Sequence, residues 1–150
     1  MDTERRIVVG IEGSGGARAA LRWAIQEASL RGACVDVVTA YSHTRIPVSP
    51  DFNYVPFDIV NLREEVEHMQ AEVVDDVLDS IGEPAVEIRR RVVEGRPADT
   101  LIRAAEGADM LVVGSRGRGG FRGLLLGSVS QQIAQHGSCP VVIVRPDIEA

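Results

Sequence analysis

The sequence predicts an α/β fold in which five short parallel strands form an open sheet with helices on both faces. The strand-like runs are almost wholly apolar, as in residues 109–114, which is typical of strands buried on both faces. These runs alternate with segments whose apolar residues recur at helical spacing. Most connections are short, which favours right-handed crossovers between parallel strands. Together these observations predict a single domain over residues 1–150.

Each predicted element has a local signal in the sequence. The first helix is predicted to end at Arg31, because a basic last turn followed by Gly32 is typical of a helix C-terminus. The third is predicted to begin at Pro97, because proline is favoured in the first helical turn. The strands are predicted at residues 6–11, 34–41, 86–93, 109–114 and 141–144. Helical periodicity predicts four helices, at residues 17–31, 62–77, 97–105 and 128–135.

Two segments depart from the regular pattern. Residues 42–59 lose periodicity and contain three prolines, so they are predicted to form a long loop that serves as a lid or binding loop or is disordered. The third strand carries three consecutive arginines, Arg89, Arg90 and Arg91. This polar run predicts a strand at the edge of the sheet with its arginines facing solvent.

The charge balance excludes several classes of function. The formal net charge of -6 argues against general electrostatic binding of nucleic acid or of an anionic membrane. All 16 basic residues are arginine, which excludes Schiff-base chemistry and the P-loop lysine. No signal-peptide core and no run of ~18 apolar residues is present. We therefore expect a cytoplasmic protein.

No catalytic or metal-binding arrangement stands out in the sequence. The three histidines are scattered without the spacing of zinc ligands. Ser14 and Ser128 have no evident base beside them, so a hydrolase triad is not predicted. Cys34 and Cys139 each begin a valine-rich run and are predicted to be buried thiols, with a disulfide or redox role as the alternative.

The glycine-rich segment at residues 114–128, GSRGRGGFRGLLLGS, is the most informative part of the chain. It follows a predicted buried strand, and open α/β sheets bind ligands at the carboxyl ends of their strands. A helix is predicted to begin at its end, and a helix N-terminus offers unpaired N–H groups to an anion. Because glycine lets a phosphate approach the backbone, the segment is predicted to bind phosphate.

One alternative explains part of this segment without a ligand. Ser128 and Gln131 have the spacing of a capping box, in which both side chains satisfy free N–H groups of their own helix. The capping box leaves unexplained the concentration of glycines in the segment, each of which costs backbone entropy. Phosphate binding therefore remains the favoured interpretation.

Other nucleotide or nucleic-acid signatures fit this segment poorly. Gly117, Gly119 and Arg122 miss the G-x-G-x-x-G spacing by one residue, and no P-loop sequence exists. Residues 116–123 look like a fragment of an RNA-binding RGG segment. Such segments are repetitive and disordered, whereas this one is single and lies between a strand and a helix. Nucleic acid is therefore not predicted as a partner.

The same segment resembles a known family motif. Gly114, Gly117 and the pair Gly127 and Ser128 match the spacing G-2x-G-9x-G-[ST], which is typical of ATP-binding universal stress proteins. Four further stretches are similar to the usual sequences of that family, at residues 93–97, 108–117, 126–130 and 139–146. The resemblance extends along essentially the whole chain except the loop at residues 42–59.

This resemblance implies a Rossmann-like fold of the adenine nucleotide alpha hydrolase type, with the nucleotide across the ends of the first and fourth strands. It implies ATP as the ligand, alone or with magnesium. The implied ligands of the ribose and phosphates are Gly114, Arg116, Gly117, Gly127, Ser128, Val129 and Ser130. The implied neighbours of the adenosine part are Gly10, Glu12, Ala40 and Val113.

The chain departs from the family at one of these positions. Family members usually have aspartate after the first strand, whereas this chain has Glu12. The extra methylene moves the carboxylate by about a bond length or more, enough to spoil a hydrogen bond whose useful range is roughly 2.5–3.2 Å. We therefore expect this substitution to alter the affinity for ATP.

The expected function is that of an ATP-binding regulator in the stress response. Little or no hydrolysis is expected, because no base that could position a water molecule is evident. A nucleotide-free interaction module of the same fold and a slow ATPase are the alternatives. The resemblance also implies that residues 141–144 form an edge strand, and because this apolar segment has no charge that would discourage pairing, a homodimer is expected through it. Neither nucleic acid nor a membrane is expected as a partner.

Overall fold

The computed structural model describes residues 4–12, 15–42, 59–115 and 126–146 of the chain. Within these residues, strands and helices alternate from the first element to the last, as the sequence predicts. The elements are β1 (Arg6–Gly10), α1 (Gly15–Arg31), β2 (Cys34–Tyr41), α2 (Ile59–Ile81), β3 (Ile88–Glu94), α3 (Pro97–Ala104), β4 (Met110–Gly114), α4 (Ser128–His136) and β5 (Val141–Val144).

The five strands form one parallel sheet in the order β3-β2-β1-β4-β5. The chain moves outward from the central β1 through β2 to β3, and then crosses to β4 and β5. Because the direction of winding changes between β1 and β4, the segments that follow these two strands diverge and leave a crevice. The predicted fold is confirmed, and this crevice positions the candidate site.

Successive residues of the central strands point to opposite faces of the sheet, and each face is covered by two helices. Ile7 and Val9 are fully buried in a core that includes residues of α1 and α2. Val8 and Leu111 are fully buried in a second core with residues of α3 and α4. Burial of each such side chain contributes roughly 1.5–3 kcal/mol. The apolar strands of the sequence therefore form the middle layer of a three-layer domain.

The arginine-rich strand β3 lies at one edge of the sheet, as predicted. The prediction that its arginines simply face solvent is only partly right. Arg91 donates to the buried carboxylate of Asp36, with 2.9 Å between Nη2 and Oδ2. Arg89 forms ion pairs with Glu4 and Glu87. These contacts join β3 to residues outside the strand, so the sequence of β3 alone does not predict them.

The opposite edge is β5, whose outward residues follow from its hydrogen bonds to β4. Leu111 N–H donates to the Pro140 carbonyl at 2.9 Å, and Ser115 N–H donates to the Val144 carbonyl at 2.8 Å. In a parallel pair this alternation directs the backbone groups of Val142 and Val144 toward β4. The backbone groups of Val141 and Ile143 therefore point outward.

The boundaries of α2 differ most from the prediction. The helix spans Ile59–Ile81, whereas apolar periodicity predicted residues 62–77. Of the predicted long loop, residues 43–58 lie outside the described part of the chain. Among the described residues, no helix combines the length and hydropathy that crossing a membrane requires.

Both cysteines are free thiols, but the predicted burial is confirmed in full only for Cys34. Cys34 is buried, and Cys139 is partly buried. Burial in apolar surroundings raises the pKa of each thiol, because it disfavours the charged thiolate. Both groups are therefore less reactive than exposed thiols.

Candidate functional site

The carboxyl ends of the strands and the start of α4 meet at one end of the sheet. Glu12 follows β1, Ala40 lies next to the end of β2, and Gly114 is the last residue of β4. Ser128 begins α4 on the other side of the glycine-rich segment. The parallel sheet therefore brings these implied site residues to the same end of the molecule.

Two short hydrogen bonds close the connection between β4 and α4, and a third joins the residue after β4 to β5. Gly127 N–H donates to the Ser115 carbonyl at 2.7 Å, and the buried Ser130 Oγ donates to the Gly114 carbonyl at 2.6 Å. Ser115 N–H in turn donates to the carbonyl of Val144, at the end of β5. Ser130 thus uses its hydroxyl to hold α4 against β4.

The predicted capping box at Ser128 and Gln131 is wrong. Gly127 is the N-cap of α4 and Ser128 is already its first helical residue, so no side chain caps the helix. Gln131 donates its backbone N–H to the Gly127 carbonyl at 3.0 Å, as an ordinary helical residue does. Because the helix starts one residue earlier than a capping box requires, the Ser128 hydroxyl is not used for capping.

The first turn of α4 therefore presents unused hydrogen-bond donors. The backbone N–H groups of Ser128, Val129 and Ser130 have no acceptor within the helix, and no described residue supplies one. A helix N-terminus also carries about half a positive charge. This geometry suits an anion that approaches from the carboxyl end of the sheet.

Two glycines of the implied site have structural reasons to lack a side chain. A Cβ at Gly10 would lie 2.6 Å from a Leu101 methyl carbon, so this glycine allows α3 to pack closely on the sheet. A Cβ at Gly114 would lie 3.0 Å from the carbonyl oxygen of Gly16, in the first turn of α1. Both glycines thus set the distance between helices and the sheet beside the crevice.

The remaining implied residues differ in how exposed they are at this end of the sheet. Glu12 is partly buried, and its carboxylate has no hydrogen bond or ion pair with any described residue. Ala40 is partly exposed, whereas Val113 is only 4% exposed and packs in the core formed with α3 and α4. Arg116 and Gly117 lie outside the described residues.

A cavity of about 360 Å³ lies between the N-terminal turns of α3 and α4. The α4 side contributes Ser128, Val129 and Gln132, and Ser42 lines the cavity just beyond the end of β2. The α3 side comprises the N-cap and first turn of that helix, residues 96–99. The cavity therefore lies against the same helix start that the glycine motif indicated.

The α3 wall adds residues that the sequence reasoning did not assign to the site. Arg96 is the N-cap of α3, and Asp99 lies in its first turn. Neither side chain has a hydrogen bond or ion pair with a described residue. The available sequence signal was Pro97 at a helix start, but only packing of α3 against α4 makes that start part of a cavity.

The described groups at this end of the molecule include hydrogen-bond donors suited to an anion, together with the carboxylates of Glu12 and Asp99. The described residues contain no group of three or more histidine, cysteine or acidic side chains that could hold a metal ion. What they offer instead are backbone N–H groups, the Ser128 hydroxyl and the Arg96 guanidinium.

Comparison with known proteins identifies relatives over almost the whole length of the chain. The sequence profile of the universal stress protein family matches residues 4–145. Universal stress protein Rv1996 of Mycobacterium tuberculosis is 39% identical over 139 residues, which are 93% of this chain and 43% of that protein. The chain spans a little under half the length of this and other curated relatives.

Two solved structures resemble the fold along the same length. A universal stress protein in complex with cAMP is 28% identical, with a TM-score of 0.70 and coverage of 97% of this chain and 100% of that one. A universal stress protein from Archaeoglobus fulgidus in complex with dAMP is 23% identical, with a TM-score of 0.60 and coverage of 93% and 97%. The second likeness supports the fold alone. From the profile match and these relatives, the chain belongs to the universal stress protein family.

Proposed function

We propose that this protein binds an adenine nucleotide, with ATP as the physiological ligand, at the crevice between β4 and α4, and acts as a nucleotide-responsive regulator. The observation that carries the proposal is the uncapped start of α4, whose N–H groups face the cavity end of the sheet without an acceptor among the described residues. Phosphate is one of the anionic groups that such a helix start binds.

The relatives support the nucleotide part of this proposal. The solved universal stress protein that is 28% identical to this chain is a complex with cAMP, an adenine nucleotide. The glycine motif in residues 114–128 has the spacing typical of family members that bind ATP. Together they favour an adenine nucleotide over an unrelated anion.

Little or no hydrolysis is part of the proposal. Cleavage of ATP requires a group that holds a water molecule in line with the γ-phosphate. The carboxylates of Glu12 and Asp99 have no hydrogen-bonding partner among the described residues that would orient them for this task. If magnesium accompanies the nucleotide, its ligands would be phosphate oxygens and the carboxylate of Glu12. Magnesium commonly binds to such a combination of oxygen ligands.

The test adds a negative charge at the start of α4 by Ser128→Glu. An acidic residue in the first turn stabilises a helix by roughly 0.3–1 kcal/mol, so the melting temperature should stay the same or rise. The same charge repels phosphate, and we expect the Kd for ATP to increase by about tenfold or more. Calorimetric titration and thermal unfolding of the same samples measure the two effects.

The matched control is Gln135→Glu, which adds the same charge near the C-terminal end of α4. Its affinity for ATP should equal that of the unmodified protein. An unchanged Kd for ATP in Ser128→Glu would show that the nucleotide does not bind at the start of α4. A protein that binds no adenine nucleotide at all would instead favour the interaction module of the same fold.

We also propose a homodimer in which β5 of two chains pair antiparallel. The outward backbone groups of Val141 and Ile143 need a partner, and a two-fold symmetric copy provides one, while the partly buried side chains of β5 gain further cover. Ile143→Pro removes an outward N–H and should give a folded monomer in light scattering. Val142→Pro is the contrast, because its N–H faces β4 and its loss should destabilise the fold itself. A monomeric mass for the unmodified protein at micromolar concentration would contradict this proposal.

A further inference from the structure

Among the described residues that line the cavity between α3 and α4, Arg96 carries a positive charge. It lies on the α3 side, while Ser128 and Val129 lie on the α4 side. The guanidinium has no hydrogen bond or ion pair with any described residue, although the carboxylate of Asp99 lines the same cavity. An anion within the cavity would therefore meet a guanidinium whose hydrogen-bond donors are not already used by a described residue.

The backbone at Arg96 is held in place from both sides. The preceding residue, Gly95, donates its N–H to the Tyr41 carbonyl at 2.8 Å, which ties the turn to the end of β2. The Arg96 carbonyl accepts the N–H of Thr100 at 2.9 Å and so begins α3. The next residue is Pro97, whose ring restricts the turn further. The backbone of Arg96 is thus fixed in a rigid turn, and only the side-chain torsion angles can change.

The arginines at the other end of the sheet behave differently. Arg6 and Arg91 both donate to Asp36, and Arg6 also donates to the carbonyls of Ala104 and Glu106. Those guanidiniums hold the fold together. Arg96 makes no such contact with the described residues, so the structure gives it no role in holding the fold.

We propose that Arg96 binds a phosphate group of the nucleotide and makes the site select phosphorylated adenine nucleotides over adenosine. The proposal rests on the proposed function, since it assigns a specificity residue to the same site. A guanidinium suits this role because its planar fork donates two parallel hydrogen bonds to phosphate. The start of α4 supplies backbone donors from the other side of the cavity, so the phosphate is held between a fixed dipole and a full charge.

The experiment compares the affinities of ATP and adenosine for the unmodified protein, Arg96→Ala and Arg96→Lys. We expect Arg96→Ala to weaken ATP binding by about tenfold or more, the size of a lost charge-assisted hydrogen bond, and to leave adenosine binding within about twofold. Arg96→Lys should recover part of the loss, because it restores the charge without the planar fork. Arg103→Ala is the matched control, since it removes the same charge from the exposed surface of α3 and should change neither affinity.

The outcomes separate this inference from the proposed function. If the unmodified protein binds neither ligand, the proposed function fails and this inference fails with it. If it binds ATP and Arg96→Ala binds ATP equally well, Arg96 is not a phosphate ligand, while the proposed function stands. Equal losses for ATP and adenosine would also overturn the inference, because they would indicate a change in the shape of the site. Thermal unfolding of each variant verifies that the affinities are measured on folded protein. Arg96→Gln serves as a second neutral replacement.

Discussion

At the amino end of the sheet the charged side chains are bonded to one another and to the backbone, whereas at the carboxyl end several have no partner among the described residues. Arg6 and Arg91 share Asp36, and Asp109 accepts the backbone N–H of Arg6 at 2.7 Å. At the opposite end, Glu12 and Arg96 form no such bonds. The contrast indicates that polar groups hold the fold at one end and are available to a ligand at the other.

Residues that hold a fold and residues that bind a ligand respond differently to mutation. Loss of a bonded, buried charge leaves its partners unsatisfied and destabilises the folded state. Loss of an unpartnered polar group costs little stability and shows its effect only when the ligand is present. The free energy of unfolding and the affinity for ATP, measured on the same variant, therefore distinguish the two kinds of residue.

The largest effect on stability is expected for Asp36→Asn at the amino end. The replacement has nearly the same shape but presents an amide to two guanidiniums, one of them on the half-exposed Arg91. We expect the free energy of unfolding to fall by about 2–3 kcal/mol, with the affinity for ATP unchanged in the folded protein. Urea denaturation measures the first quantity and calorimetric titration the second.

Asp75→Asn is the control for that variant, because it removes the same charge from the exposed surface of α2. It should change stability by less than about 0.5 kcal/mol. If Asp36→Asn kept its stability and lost ATP binding, the division between the two ends of the sheet would be wrong.

A smaller effect on stability is expected for Glu12 at the carboxyl end. Glu12→Ala should change the free energy of unfolding by no more than about 0.5 kcal/mol, since the carboxylate has no described partner to lose. Glu12→Asp should tighten ATP binding if the longer side chain merely displaces the carboxylate that family members usually have. Weaker binding by Glu12→Asp would mean that the site is adapted to glutamate, and equal affinities for all three proteins would exclude the carboxylate from binding.

The fold was predictable from the sequence because its signals are local. Apolar runs such as residues 109–114 and helix signals such as Pro97 each act within a few residues of the chain, and their alternation determines a parallel sheet. The arginines of β3 also marked an edge strand correctly. The prediction that the glycine-rich segment binds phosphate rested on its sequence motif. Residues 116–125 of that segment lie outside the described part of the chain.

The errors and omissions involve contacts between distant segments or a shift of one residue. The capping box at Ser128 failed because the helix has Gly127 as its N-cap. The pairing of Arg91 with Asp36 joins two strands that are far apart in sequence. The place of Arg96 in the cavity depends on how α3 packs beside α4. None of these features leaves a pattern within one element that periodicity or spacing could reveal.

The central claim is that the carboxyl end of the sheet binds an adenine nucleotide. The most direct test is a calorimetric titration of the unmodified protein with ATP in the presence of magnesium, followed by nucleotide analysis of the recovered sample. The account predicts saturable binding at one site per chain, with ATP recovered largely intact. Absence of binding at millimolar ATP would contradict the claim, and rapid conversion to ADP would contradict the proposal of little or no turnover.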